Sequence, residues 1–389
     1  MRIQIGKSRS AECTTAAREA SQEALRGADA PAFALVLCTD QYDAAALASA
    51  VGAALGDIPW AGGCAAGVFA GTELLLQGLV IALFLGGDFR VGVGMGGPVS
   101  VSPRAAGRAA VAEAFGRLPP KPPGYRRMLF VLPDALSGNP TEVVRGAQQE
   151  AGAGVRWAGG GAGNDVRFVK TAQFTRGHAY QDQVVVIALD AQSPFGVGLQ
   201  HGWSPYGPPS HVTKARGPTA VELDYECAFE VYRHTAERRG DALDAQRFPR
   251  FAMTHPLGIP QANGEFVIRD PLAVEPDGSV RCIAEVPDGS LVRVMEGRRA
   301  ELLDAAGRAA TQARESTPGP LGGAVVFDCV SRYLLLGEEG VRDELSRFQD
   351  ALGAGVPVVG CLTLGEVGAM GGGAPQFHNK TSVVVALPG

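Results

Sequence analysis

The chain has 389 residues, with 35 Lys and Arg against 40 Asp and Glu and a formal net charge of −5. That balance leaves no electrostatic footprint for nucleic acid. The length is enough for two or three domains with buried cores. The apolar runs are strand-sized, none near the roughly 18–20 residues of a membrane span, and Met1–Lys7 lacks the apolar core of a signal peptide. The cysteines, at 13, 38, 64, 227, 282, 329 and 361, include no Cys-x-x-Cys pair. Zinc and thioredoxin chemistry are therefore not indicated, and reduced thiols in a cytoplasmic protein are expected.

In chain order, Phe33–Cys38 reads as a buried strand and Tyr42–Leu55 as an alanine-rich helix. A glycine signature, Pro59–Gly67, follows, and then a strand, Leu79–Phe84. Phe89–Met95 predicts a further strand and Pro103–Leu118 a helix. Pro119–Gly124 is a stiff connector, because its prolines oppose both helix and central strand. The order then recurs. Met128–Leu132 is a strand, Asn139 and Pro140 mark a helix start as N-cap and first-turn proline, Arg156–Gly163 is a second signature and Val184–Leu189 a strand.

Ala191–Pro218 is rich in Gly, Pro, Ser and His and marks a boundary. Glu222–Asp224 is expected to open an amphipathic helix running to Glu237, with Tyr225, Phe229 and Tyr232 on its packing face. Phe248–Val294 holds short strands separated by turns at Pro276–Gly278 and Pro287–Gly289. Arg298–Arg314 predicts a helix. Ala324–Cys329, a helix over Glu338–Leu352, the signature Pro357–Gly365 and the run Val383–Leu387 complete a third copy. The expected fold is α/β, with mixed β-sheets and flanking helices built from three internally repeated strand–helix–glycine turn–strand units. The expected divisions are an N-terminal segment 1–32 and domains 33–221 and 222–389.

Reactive side chains concentrate in the third copy. Cys361, Thr363, Gly365 and Glu366 lie in or beside its signature, and His378 and Asn379 follow twelve and thirteen residues after Glu366. Arg332 follows the first strand of the unit. Strand ends are where α/β folds bind ligands, so these residues are expected to line one cleft. Arg332, at its rim, would fork a ligand carboxylate while Glu366 receives an ammonium, which suits an amino acid. The plainer reading makes the same groups turn and loop hydrogen bonds. Cys361, His378 and Glu366 also have the residue types of a nucleophilic set. Cys64, read as occupying the matching place in the first copy without a histidine, favours packing for Cys361 and no catalytic residue. No two of the six histidines have metalloprotease spacing, so no metal site is expected. Haem needs only one axial histidine and an apolar pocket, and stays open as a cofactor.

Taken together, the segments resemble the FIST family, with an N-terminal and a C-terminal FIST domain. Val326–Arg332 is similar to the family's F-x-C-x-x-R segment, Val358–Glu366 to its G-x-x-x-x-G-E segment and Phe377–Thr381 to its L-H-N-x-T segment. Leu223–Tyr232 resembles the start of the C-terminal domain. Leu364 stands where relatives often carry an aromatic, and Ala65–Val68 where they often carry a carboxylate. The resemblance implies a sensory module of signal transduction that binds small ligands such as amino acids. Haem-based nitric oxide sensing is the alternative the family offers. A separate signalling protein, such as a histidine kinase or cyclase, is the expected partner for output.

Overall fold

The apolar runs form strands because each is short, β-branched or aromatic, and covered on both faces. The computed structural model describes residues 1–87, 89–163 and 170–389. One order of elements occurs three times. It begins with β1 (Arg2–Ser8), α1 (Cys13–Leu25), β2 (Pro31–Cys38), α2 (Ala44–Leu55), β3 (Trp60–Cys64), the hairpin β4 (Gly67–Ala70) and β5 (Glu73–Leu75), and β6 (Leu79–Leu85). It continues as β7 (Phe89–Gly96), α3 (Pro103–Gly116), β8 (Arg126–Pro133), α4 (Pro140–Ala151), β9 (Val155–Gly160), the hairpin β10 (Gln173–Thr175) and β11 (His178–Tyr180), and β12 (Val184–Ala191). Asn139 caps α4 through its side-chain oxygen, which accepts from the Thr141 amide, with Pro140 in the first turn.

The third passage opens with β13 (Gly196–Gln200) and is interrupted by a separate module. That module holds β14 (Ser204–Arg216), β15 (Thr219–Leu223), β16 (Glu226–Cys227), α5 (Ala228–Glu237), α6 (Phe248–Thr254), β17 (Leu257–Pro260), β18 (Phe266–Arg269), β19 (Pro271–Val274), β20 (Val280–Cys282) and β21 (Leu291–Glu296). The passage resumes with α7 (Arg299–Glu315), β22 (Leu321–Cys329), α8 (Val330–Leu352), β23 (Val358–Thr363), the hairpin β24 (Glu366–Gly368) and β25 (Gln376–His378), and β26 (Ser382–Pro388). The helix expected from Glu222 starts instead at Ala228. Asp224 and Tyr225 take positive φ in a tight turn between β15 and β16, which leaves Tyr225 exposed and only Tyr232 fully buried.

The glycine signatures are strands rather than turns. β3, β9 and β23 each lie parallel to the strand before the preceding helix, with Gly62 opposite Val36, Gly159 opposite Val131 and Gly360 opposite Val326. A Cβ on these glycines would stand 1.7, 2.0 and 2.3 Å from the carbonyl oxygens of those valines. The glycines are required by close backbone approach within a strand. The same register corrects the match between Cys64 and Cys361. Cys361 is one residue past its glycine and Cys64 two past its own, so their side chains face opposite sides of their sheets.

Each set of strands builds one six-stranded sheet, completed by a hairpin from another set. The orders are β1-β6-β2-β3-β10-β11, β7-β12-β8-β9-β24-β25 and β13-β26-β22-β23-β4-β5. The hairpin of the second passage thus finishes the first sheet, that of the third finishes the second, and that of the first finishes the third. The inner faces share one apolar core, with Phe33, Phe84, Phe130, Phe327, Val68 and Cys361 among its members. Helices cover the outer faces over further cores. The module between β13 and α7 has its own core around Tyr232 and Phe248.

Candidate functional site

The polar groups of the third passage collect where β22, α8 and β24–β26 meet. α8 begins directly after β22, so Ser331 and Arg332 lie in its first turn. Gly337, with φ 71° and ψ 178°, breaks α8 and turns its second half back. That reversal brings Glu344 onto Arg332, which a straight helix would hold about 18 Å away along its axis. Arg332 is fully buried. Its Nε donates to Glu344 Oε1 at 2.8 Å, Nη1 to the His201 carbonyl at 2.9 Å and Nη2 to the Leu302 carbonyl at 2.8 Å. Nη2 also pairs with Glu344, and Asp328 Oδ1 lies 3.4 Å from Nε. The fork is engaged inside the protein rather than presented at the rim of a cleft.

Glu366 lies across β24–β25 from His378. It accepts from the Thr381 amide at 3.2 Å, and its Oε1 is 2.9 Å from Thr363 Oγ1. Thr363 Oγ1 is also 3.1 Å from the Asp328 carbonyl. One hydroxyl proton cannot serve both acceptors at once, and a protonated Glu366 carboxyl supplies the second. Burial, reinforced by the Asp328 charge, pushes Glu366 well above the usual carboxylate range. Gly365, at φ 86°, makes the turn into β24, where a Cβ would strike the Phe377 ring at 2.3 Å.

His378 Nε2 lies 3.2 Å from the Gly368 carbonyl, which can only accept, so Nε2 carries the proton. Burial, with Arg269 adding to it, lowers His378 to about 3, and its Nδ1 is buried without a partner. Asn379 Oδ1 accepts from the Asp270 amide at 3.4 Å, while its Nδ2 is buried and unpartnered. Burial, with Arg332 adding to it, lowers His201 to about 4. Burial also raises Cys361, which faces the central core opposite Phe327 and Val68. Cys361 belongs to the third sheet, whereas Glu366 and His378 belong to the second. The structure therefore brings Thr363 and Glu366 into contact and sets His378 across from them. It leaves Cys361 facing the central core and connects Arg332 to Thr363 through Asp328.

Sequence reasoning missed several partners. Lys380 is fully buried, pairs with Asp270 at 3.0 Å, donates to the Met253 carbonyl and lies over the Trp203 ring. Ser331 donates to Asp270 at 2.6 Å, and Ser382 to Asp328 at 2.6 Å. Lys380 was visible as part of the His-Asn-Lys-Thr run. Asp270 and Glu344 carried no signal, since one sits among short strands and the other on a charged amphipathic helix. Among the described residues no three His, Cys, Asp or Glu side chains converge as a metal would need. The buried rings of His201 and His378 border neither of the cavities described below.

Two cavities bear on ligand binding. One, about 870 Å³, lies where the β24–β25 turn meets the second sheet, lined by Arg126, Arg156, Gln148, Gln312, Ser316 and the loop Gly371–Pro375 among others. The other, about 360 Å³, lies at the C-terminal ends of β2 and β3. Parallel strand pairs in mixed sheets, with helices over their outer faces, define an α/β protein.

Matches to family models carry this further. The FIST N domain matches residues 32–226 and the FIST C domain residues 228–369. The chain belongs to the FIST family, whose domains are associated with small-ligand sensing in signal transduction. No curated protein matches it. Among solved structures, a cyanuric acid hydrolase from A. caulinodans is similar over 49% of this chain and 72% of that one, at 12% identity and a TM-score of 0.26. A similarity that weak carries no assignment. No described helix is long and apolar enough to cross a membrane.

Proposed function

We propose that this chain is a sensory module that binds an amino acid in the 870 Å³ cavity beside the β24–β25 turn. The observation that carries the reading is a pair of arginines. Arg156 stands opposite Met128, and Arg126 lies two residues before Met128, so both side chains leave the same face of β8 and β9. Their Cα atoms are roughly 8 Å apart on that geometry. Neither side chain makes an ion pair or hydrogen bond among the described residues. Arg127, between them in register, turns to the other face and grips Asp190 with two bonds of 2.6 Å.

Two forks on one face suit a carboxylate. The cavity is also lined by Gly152 and Ser316, the C-terminal caps of α4 and α7. Helix C-termini carry partial negative charge and favour a cation such as an ammonium. Opposed charges of this kind favour a zwitterion over a nucleotide. In this reading Glu366, His378 and Asn379 do not touch the ligand. They sit on or beside the strands that the loop joins, and they pass its displacement into the buried network and on to a separate signalling protein.

The test is a thermal-shift screen of the proteinogenic amino acids, followed by calorimetry on the wild type, Arg126→Ala and Arg156→Ala. Either substitution is expected to weaken binding about tenfold or more, or 1.4 kcal/mol. If no amino acid binds, or if both variants bind like the wild type, the reading fails.

A further inference from the structure

We infer that Cys38 and Cys64 are a redox-modifiable pair that closes to a reversible disulfide at the floor of the smaller cavity. The two stand directly opposite each other as the last partners of the parallel pair β2–β3. Neighbouring strands are about 4.8 Å apart, inside the roughly 4.4–6.8 Å between Cα atoms that a disulfide spans. In-register partners project to the same face, and both side chains belong to the same outer core. No other two of the seven cysteines are register partners. Cys329 faces Thr363, Cys361 faces Phe327 and Val68, Cys282 faces Pro271, and Cys227 faces Glu222.

A second observation supplies access. Both thiols line the 360 Å³ cavity, together with Thr39, Tyr42, Thr171 and Phe174. Every cysteine is a free thiol. Cys64 is 6% exposed and Cys38 2%, so Cys64 meets a small oxidant first. Cys38, the deeper of the two, stands behind Cys64 and takes the resolving role, giving up its proton as it attacks.

The oxidant is hydrogen peroxide. The Cys64 sulfur attacks one peroxide oxygen, the O–O bond breaks and water leaves, giving a sulfenic acid. The Cys38 sulfur then attacks the Cys64 sulfur, the S–S bond forms, the S–O bond breaks and a second water leaves. Two thiols are oxidised by two electrons and one hydrogen peroxide is reduced to two waters. The new bond ties together the C-terminal ends of β2 and β3, below the turn that leads into α2. The site is independent of the arginine-lined cavity and of what binds there.

The test treats the folded full-length protein with hydrogen peroxide, blocks remaining thiols and reads intact mass and linked peptides. The expected result is loss of two hydrogen atoms, a Cys38–Cys64 linked peptide, and full reversal by dithiothreitol. Cys13→Ser should retain the link, although Cys13 lies close by, with its sulfur 3.9 Å from the Asp43 carbonyl. Cys64→Ser should abolish it. Oxygen adducts without a link, a link through Cys13, or no change in mass in the wild-type protein would each overturn the assignment. The wild-type result decides the matter even if the Cys64 variant folds poorly.

Discussion

Arg332 and Glu344 belong to one helical run, 12 positions apart, and still meet with no solvent at either side chain. Gly337 makes this happen by taking a backbone conformation that other residues adopt only at a cost. Removing Glu344 leaves the Arg332 charge buried with fewer partners. Glu344→Met should therefore destabilise the protein by about 3–5 kcal/mol, and adding Arg332→Met should recover part of that loss. Urea unfolding midpoints measure both. A single substitution within 1 kcal/mol of wild type would mean the pair is not needed.

The buried histidine of β25 sets a pH dependence. His378 titrates near 6.5 when unfolded and near 3 in the fold. A depressed pKa gives a contribution that is complete above pH 6.5 and is lost as pH falls through 3. The expected slope is about 1.4 kcal/mol per pH unit inside that window. Glu344 works in the opposite sense. Burial, with Asp328 adding to it, pushes it up to about 8 from 4.5, so its contribution is present below 4.5 and lost as pH rises through 8. His378→Gln should make the acid limb of the stability profile shallower, leaving the part that His201 sets. An unchanged acid limb would show that His378 does not titrate as described.

Two glycines should respond to alanine in opposite ways. In Gly62→Ala the new methyl would sit 1.7 Å from the Val36 carbonyl oxygen, whereas at Gly116, the last residue of α3, it meets nothing within 4 Å. Gly62→Ala should cost several kcal/mol or prevent folding, and Gly116→Ala should be neutral or stabilise by about 0.5–1 kcal/mol. Thermal melts of the two variants give the comparison, and similar melting temperatures would contradict it.

The family boundary near residue 227 should not be a folding boundary. Residues 222–389 alone lack β13, β4 and β5, half of the strands in the third sheet. They also carry β24 and β25 with no β9 to pair with. That fragment should show no cooperative unfolding by circular dichroism. A sharp two-state melt from it would refute the interdependence.

The strands were legible because their apolar runs are long enough to be unambiguous. Phe33–Cys38 lies inside β2 and Val383–Leu387 inside β26. The α4 start was legible because Asn139 and Pro140 act locally. The glycine signatures misled because glycine signals a turn by default. Its role beneath a partner's carbonyl appears only once the parallel pair has formed. The site was legible as residue types, since Thr363, Glu366 and His378 do converge. It was not legible as geometry. The inward turn of Arg332 depends on the break at Gly337, and the arginines at 126 and 156 gain meaning only from a shared face and a loop more than 200 residues away.

The passing of each hairpin to another sheet has a further consequence. Three separate chains exchanging hairpins head to tail in this pattern would close as a ring with threefold rotational symmetry, without an open end to recruit a fourth. Covalent linkage makes each donation intramolecular, so it no longer depends on protein concentration. The short connections from β6 to β7 and from β12 to β13 take the place of encounter between subunits.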